Sequence, residues 1–312
     1  MRLLDGKISL HQMIFYASAD EERVMRIIRY NKKPKRFSSR EFLIFMGVVV
    51  IGLVVFAASQ LWQEGQTEEE LPVSAVTVNE DDRSVMVLNY HKIANEHKSL
   101  SVTLDDFEQQ MKWLDEYGYH CITPQQLYDF VANGAELPQN PVLITFDDGY
   151  KDNYTNAYPI MKKYGMKGTI FVVTGFLGVY DNYLTWEQAK ELLDAGFNIE
   201  SHTYSHKSMT EASDEDISNE LVKSRKTIKD KLGIDSDFMA YPTGTYNLHI
   251  AELVKEAGYK GAFTIKYDNV SRESNVYALE RVPVFHTNDT NKDFLERLQY
   301  IPLLYKYGWV KN

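Results

Sequence analysis

From residue 84 onward, segments suited to strands alternate with segments suited to helices, and this alternation limits the possible folds most. VMVLNYH (85–91) reads as a strand, and LDDFEQQMKWLDEYG (104–118) as a helix that stops at Gly118. A short strand, YHCI (119–122), precedes a helix with Pro124 at its start that runs to about Asn133. PVLITF (141–146), GTIFVV (168–173), FNIES (197–201), DFMAYP (237–242), YKGAFTI (259–265) and LERVPVF (279–285) read as further strands. Helices are expected at 152–164, 184–196, 214–233, 247–258 and about 291–299. Strands rich in Val, Ile and Phe that alternate with helices predict a parallel sheet covered by helices. This many units in about 230 residues fit a closed or nearly closed α/β barrel better than an open sheet. Chemistry in such a fold sits on the loops after the C-terminal ends of the strands.

The chain before residue 84 is of another kind. Residues 42–58, FLIFMGVVVIGLVVFAA, carry no charge, and Leu61 and Trp62 can extend the run to an interface. Lys32, Lys33, Lys35, Arg36 and Arg40 precede it, whereas Glu64, Glu68, Glu69 and Glu70 follow it. The positive-inside rule then places 1–41 as a basic cytoplasmic segment and 42–62 as an uncleaved transmembrane anchor. Residues 63–83 read as an acidic stalk, and 84–312 as one extracellular domain. A buried core helix and a cleaved signal peptide are the alternatives for the apolar run.

A formal net charge of −10 argues against a nucleic-acid partner. The single cysteine, Cys121, excludes an intramolecular disulfide and a cysteine-based zinc site, and reads as a small buried hydrophobe. Trp113 and Trp186 read as packing, and the charged helix 214–233 as a solvated face.

Polar clusters fall at the expected strand ends. Asp147 and Asp148 stand side by side after PVLITF. A turn needs only one Asp, and two adjacent carboxylates repel. After FNIES comes HTYSH, with His202 and His206 spaced to share one side of a helical turn. Two histidines and one carboxylate make a metal-binding face with open positions, and a divalent ion there acidifies water. The second aspartate can then serve as the base. Thr243 follows a strand in Tyr241-Pro242-Thr243-Gly244, a turn that can aim a backbone N–H at an oxyanion. His91 and His286 each end a strand, and either can be the acid that protonates a leaving amine.

The motifs TFDDG (145–149) and HTYSH (202–206) resemble the first two of the NodB-type polysaccharide deacetylases, carbohydrate esterase family 4. The resemblance covers about residues 84–290. It implies a distorted (β/α)-barrel, the NodB homology domain. It also implies Asp147 as catalytic base and Asp148, His202 and His206 as ligands of one divalent metal, zinc first, with cobalt, nickel or manganese as alternatives. The third motif departs from the common Arg-x-Pro-x-Gly. Ala240 stands where the arginine that holds the base is expected, and the Tyr-Pro-x-Gly form is similar to the branch acting on β-1,6-linked N-acetylglucosamine polymers and some wall-acting relatives. The Tyr-His strand end points to His91 as the acid, with His286 as alternative, and Tyr90 and Tyr241 are the expected substrate-contacting side chains.

The resemblance thus implies a metal-dependent hydrolase that removes N-acetyl groups from N-acetylglucosamine residues of a cell-surface or cell-wall polysaccharide. Its partners are then a glycan polymer and the membrane. A catalytically impaired glycan-binding or scaffold protein of the same fold, favoured by Ala240, is one alternative. An amidase on another acetamido substrate is a second.

Overall fold

The computed structural model describes residues 84–96 and 98–299. The segments 1–41, 42–62 and 63–83 lie outside the described residues, and with them every expectation about an anchor or stalk. Among the described residues no helix is long and apolar enough to cross a membrane.

The described chain runs β1 (Met86–Tyr90), β2 (Lys92–Ile93), β3 (Ser101–Val102), α1 (Leu104–Glu116), β4 (His120–Cys121), α2 (Pro124–Asn133) and β5 (Pro141–Phe146). It continues through a π-helical turn (Asn153–Ala157), α3 (Tyr158–Lys163), β6 (Thr169–Val172), α4 (Trp186–Asp194), β7 (Asn198–Ser201), α5 (Asp214–Leu232) and β8 (Phe238–Ala240). It ends with α6 (Leu248–Glu256), β9 (Gly261–Phe263), β10 (Val282–Pro283) and α7 (Thr290–Gln299). Local chemistry sets these limits. Thr123 and Thr185 cap α2 and α4, each paired with a glutamine three residues on, and Gly233 ends α5 in a left-handed conformation.

The main sheet is parallel, in the order β10-β1-β5-β6-β7-β8-β9, with β4 beside the start of β5. Both faces of its strands are buried. Val87, Leu143, Phe171, Phe238, Phe263 and Leu279 form one apolar cluster. Leu88, Ile144, Phe146, Ile170 and Val172 join another with Phe107, Met161 and Leu192 of the helices. Burial on both faces explains why these strands read as continuous apolar runs.

The sheet curls toward closure, consistent with the expected (β/α) barrel. Among the described residues β9 has no full strand partner on its far side. The segment leading into β10 joins it instead: Ala262 N–H donates to Val276 O (2.8 Å), Leu279 N–H to Ala262 O (2.9 Å) and Thr264 N–H to Leu279 O (2.9 Å). Three details differ from the sequence reading. The strand expected over 279–285 pairs as a strand only at Val282–Pro283. The helix expected over 152–164 divides into a π-helical turn and the short α3. The two-stranded pairing of β2 with β3 was not anticipated.

Candidate active site

β5, β6 and β7 are neighbours, so their C-terminal ends bring Asp147, Asp148, His202 and His206 to one place. Alternation carries Leu143, Thr145 and Asp147 along one face of β5. The chain then turns: Asp148 has φ 73° and Gly149 φ 78°. A Cβ on Gly149 would come within 3.0 Å of the Val172 side chain, besides needing that conformation. Among the described residues, five non-glycine residues have positive φ, and four of them are Asp148, Thr203, His206 and Thr243. Strained backbone concentrated this way is a mark of a functional site.

Oxygen or nitrogen atoms of Asp148, His202 and His206 lie within 4.8 Å of one another. His202 Nε2 is 3.5 Å and His206 Nε2 3.2 Å from Asp148 Oδ1. His202 Nδ1 lies 2.8 Å from the carbonyl of Ala240, which only accepts, so this nitrogen carries the proton. In neutral His202 the Nε2 lone pair therefore faces a carboxylate oxygen, an arrangement that a cation relieves. The buried nitrogen, its carbonyl support and the carboxylate suit a divalent metal. Burial, the largest influence on His202, disfavours its charged form. The charges of Asp147 and Asp148 and the bonds to Asp148 and Ala240 outweigh it and raise the pKa.

The two histidines do not sit on a helical turn as their spacing suggested. Thr203 (φ 63°) and His206 (φ 59°) are left-handed, and His206 N–H donates back to Thr203 Oγ1 at 3.2 Å. Half-buried Glu220 of α5 fixes this loop. Its carboxylate accepts from the N–H groups of Tyr204 (2.9 Å) and Ser205 (2.7 Å) and from Ser205 Oγ (2.6 Å). Gly175 approaches from the other side and donates its N–H to Tyr204 O; a Cβ there would lie 2.6 Å from that oxygen.

Asp147 is held by Arg281, a residue the sequence reading missed. Nη1 donates to Oδ1 and Nη2 to Oδ2, both at 2.7 Å, and Arg281 is fully buried. Its Nε donates to Thr264 O (2.7 Å) and Nη1 also reaches Thr145 Oγ1 (3.3 Å), so the fork is fixed on three sides. Burial alone would raise the pKa of Asp147, but the charges of Arg281 and His202 hold it down at about 2. The arginine absent at Ala240 thus arrives from the segment before β10. The signal was present in LERVPVF: a charge amid apolar strand residues needs a buried partner.

His91, just after β1, belongs to the same site. The charges of Asp147, Asp148, Arg281 and His202 all act on it, yet burial is the strongest influence and lowers its pKa. Its buried Nδ1 has no hydrogen-bond partner among the described residues. The segment after Asp148 holds this strand end: Asn153 Nδ2 donates to His91 O (2.8 Å), and Asp152 Oδ1 accepts from Ile93 N–H (3.0 Å). π-helical turns such as the one here recur at functional positions. His286 is half-buried beyond β10, and its N–H donates to Ser99 O.

The two tyrosines expected to touch substrate do not occupy that position. Tyr90 is fully buried, packs against Phe107 and Phe146, and donates to Gln110 Oε1 (2.8 Å). Tyr241 is also fully buried and donates to Tyr277 O (2.9 Å). Strand alternation turns both rings into apolar clusters. Thr243 is exposed on the turn that follows β8 and carries φ 59°. That turn borders the metal face through the Ala240 carbonyl.

The chain is similar to known proteins. The polysaccharide deacetylase family pattern matches residues 134–262. YxkH of Bacillus subtilis (strain 168), named for the same family, is 34% identical over 261 residues, covering 77% of this chain and 93% of that protein. The poly-beta-1,6-N-acetyl-D-glucosamine N-deacetylase of Staphylococcus aureus (strain MSSA476) is 29% identical over 64% of this chain and 79% of its own. The solved structure of Streptococcus pyogenes deacetylase PplD in complex with acetate superposes with a TM-score of 0.65 at 28% identity, covering 69% of this chain and 97% of that one. With the paired aspartates, the HTYSH histidines and the curled parallel sheet in place, these matches make the chain a member of the polysaccharide deacetylase family, hydrolases of N-acetylated polysaccharides.

Proposed function

We propose that the protein is a metal-dependent N-deacetylase of N-acetylglucosamine residues in a cell-surface or cell-wall polysaccharide. One observation carries the reading: a carboxylate locked in its ionised form, Asp147, stands beside the converging Asp148, His202 and His206. The Staphylococcus aureus relative's name supports the sugar, and the acetate in complex with PplD is the product such a reaction releases.

The roles follow from the groups present. Asp148, His202 and His206 would hold one divalent metal, with zinc the first choice by donor set. When bound, such an ion supplies Lewis acidity and lowers the pKa of water. Asp147 takes the proton from the attacking water, and Arg281 keeps that carboxylate charged and aimed. The Thr243 N–H donates to the oxygen of the acetamide carbonyl as charge develops there. His91 gives a proton to the departing nitrogen, with His286 as the alternative donor. Burial disfavours the charged form of His91, so the proton it delivers to nitrogen is the one Asp147 took from the water, passed to the imidazole as negative charge grows beside it. The C–N bond breaks, leaving acetate and a free amine. The charge step around the apolar run supports a single-pass anchor at 42–62, with residues 1–41 cytoplasmic and the catalytic domain outside.

Ala240 favoured the scaffold reading, and Arg281 weighs against it by supplying the missing support. The test is acetate release from β-1,6 and β-1,4 N-acetylglucosamine oligomers and from peptidoglycan, measured side by side. We expect release from at least one polymer and a loss of roughly 100-fold or more in Asp147→Asn, the scale of general-base catalysis. Full activity in that variant would remove Asp147 from the role of base. His91→Ala and His286→Ala, compared separately, choose the proton donor: the larger fall is expected for His91.

A further inference from the structure

We propose that the loop between β6 and α4 is an aromatic platform on which sugars flanking the reacting unit stack; the proposal rests on the glycan-deacetylase reading. β6 lies between the strand that carries the aspartates and the strand that carries the histidines. Its following loop therefore rises at the edge of the site. Four rings run outward from there. Tyr150, two residues from Asp148, stacks on Tyr183 with ring centres 5.1 Å apart and planes 25° apart. Phe176 meets Tyr183 edge-on at 5.1 Å and Tyr180 edge-on at 5.2 Å, and Tyr180 lies 6.1 Å from Tyr183. The tip is open: Tyr180 is 52% and Val179 67% exposed. Asp181 and Asn182 beside it are exposed too.

Core packing does not account for the Tyr180 ring and Val179 left in water at a loop tip, with three half-buried rings leading to them. Such a patch, rimmed by polar groups and continuous with a site, marks a binding surface. Tyrosine suits a sugar: its face takes the apolar C–H side of a pyranose ring, and its hydroxyl and neighbouring polar groups meet the hydroxyls. The loop is also held in shape. Gly178 N–H donates to Leu184 O (2.9 Å), Tyr183 N–H to Tyr180 O (3.1 Å), Lys151 N–H to Asn182 O (2.9 Å) and Leu184 N–H to Gly149 O (3.0 Å). The last two tie it to the Asp-Asp-Gly strand end. A preformed platform loses little entropy when it binds. The rings step from Tyr150 beside the metal face to Tyr183 (5.1 Å) and on to Tyr180 at the tip (6.1 Å), and a platform of successive rings points to an extended polymer rather than a single sugar.

The test separates binding from chemistry. The full chain carrying Asp147→Asn is titrated calorimetrically with N-acetylglucosamine oligomers from dimer to hexamer. Affinity should rise with length. Adding Tyr180→Ala should weaken the hexamer about tenfold and the dimer about twofold or less, as for truncation of a central tyrosine anchor. Tyr180→Phe should retain the length dependence, because the ring face does the stacking. Equal weakening at every length, no weakening, or a parent that binds hexamer no better than dimer overturns the platform. Acetate release is followed separately in the chain with Asp147 intact. Absence of release alongside length-dependent binding would refute the deacetylase reading and leave the platform standing.

Discussion

At the scale of single residues, the site depends on how one carboxylate is kept charged in a dry place. Asp147 is 2% exposed, and burial pushes its pKa upward; the Arg281 charge, with two bonds of 2.7 Å, reverses that push to about 2. The depressed pKa contributes stability above the ordinary carboxylate value of 3.8 that is lost as pH falls through about 2. Arg281→Met should therefore cost about 3–5 kcal/mol at neutral pH, since an unpaired buried charge remains. It should also move the acid limb of the kcat/KM profile to higher pH, because burial then acts unopposed by the guanidinium. Denaturant unfolding and the pH profile check the two outcomes. Arg281→Lys should retain part of the charge effect and lose the two-pronged orientation, so its acid limb moves less while its kcat stays depressed.

At the scale of elements, α5 does more than the solvated helix its charges suggested. Glu220 reaches across to three donors in the histidine loop and holds a turn with two left-handed residues. Glu220→Ala should weaken zinc binding by about 10–100-fold, the usual cost of losing an outer support of a ligand. Zinc titration of the folded variant measures this. Glu220→Gln should fall between, since an amide oxygen still accepts one or two of the bonds. β7 and β8 are joined by a second buried carboxylate. Glu200 accepts from Ser236 Oγ (2.8 Å) and Phe238 N–H (3.1 Å), and burial, the main cause, pushes its pKa up to about 8. The folded protein thus keeps a proton that the unfolded chain loses near 4.5. Its contribution to stability is full below that pH and declines as pH rises through about 8. Glu200→Gln should flatten the fall in Tm between pH 5 and 8, measured with chelator present.

At the scale of the whole molecule, the site is a product of strand order. Neighbouring β5, β6 and β7 deliver the aspartates, the aromatic loop and the histidines, and the segment entering β10, beside β1, delivers the arginine. A metal held between two strand ends, as proposed, would bind the folded form and not the unfolded one. Zinc at 100 times its Kd should therefore stabilise the protein by about 2.7 kcal/mol, and a chelator should reverse the rise in Tm and abolish acetate release together. Loss of activity with no change in Tm would place the ion elsewhere.

The strand and helix alternation, the aspartate pair and the histidine pair were legible in the sequence, because each is local. Burial on both faces writes continuous apolar runs, helix caps are short motifs, and the candidate site's side chains follow directly on their strands. The expected membrane anchor also rests on local signals, but it lies outside the described residues and is untested by them. What sequence alone could not supply depended on distant contacts. Arg281 and Asp147 are separated by 134 residues, and Glu220 lies 15 residues from the loop it braces. Tyr90 and Tyr241 look like site residues by position, but pleating turns their rings into the core. Only the curl of the sheet decides which side chains meet, because a residue's neighbours across a barrel are set by strand order and register rather than by spacing along the chain.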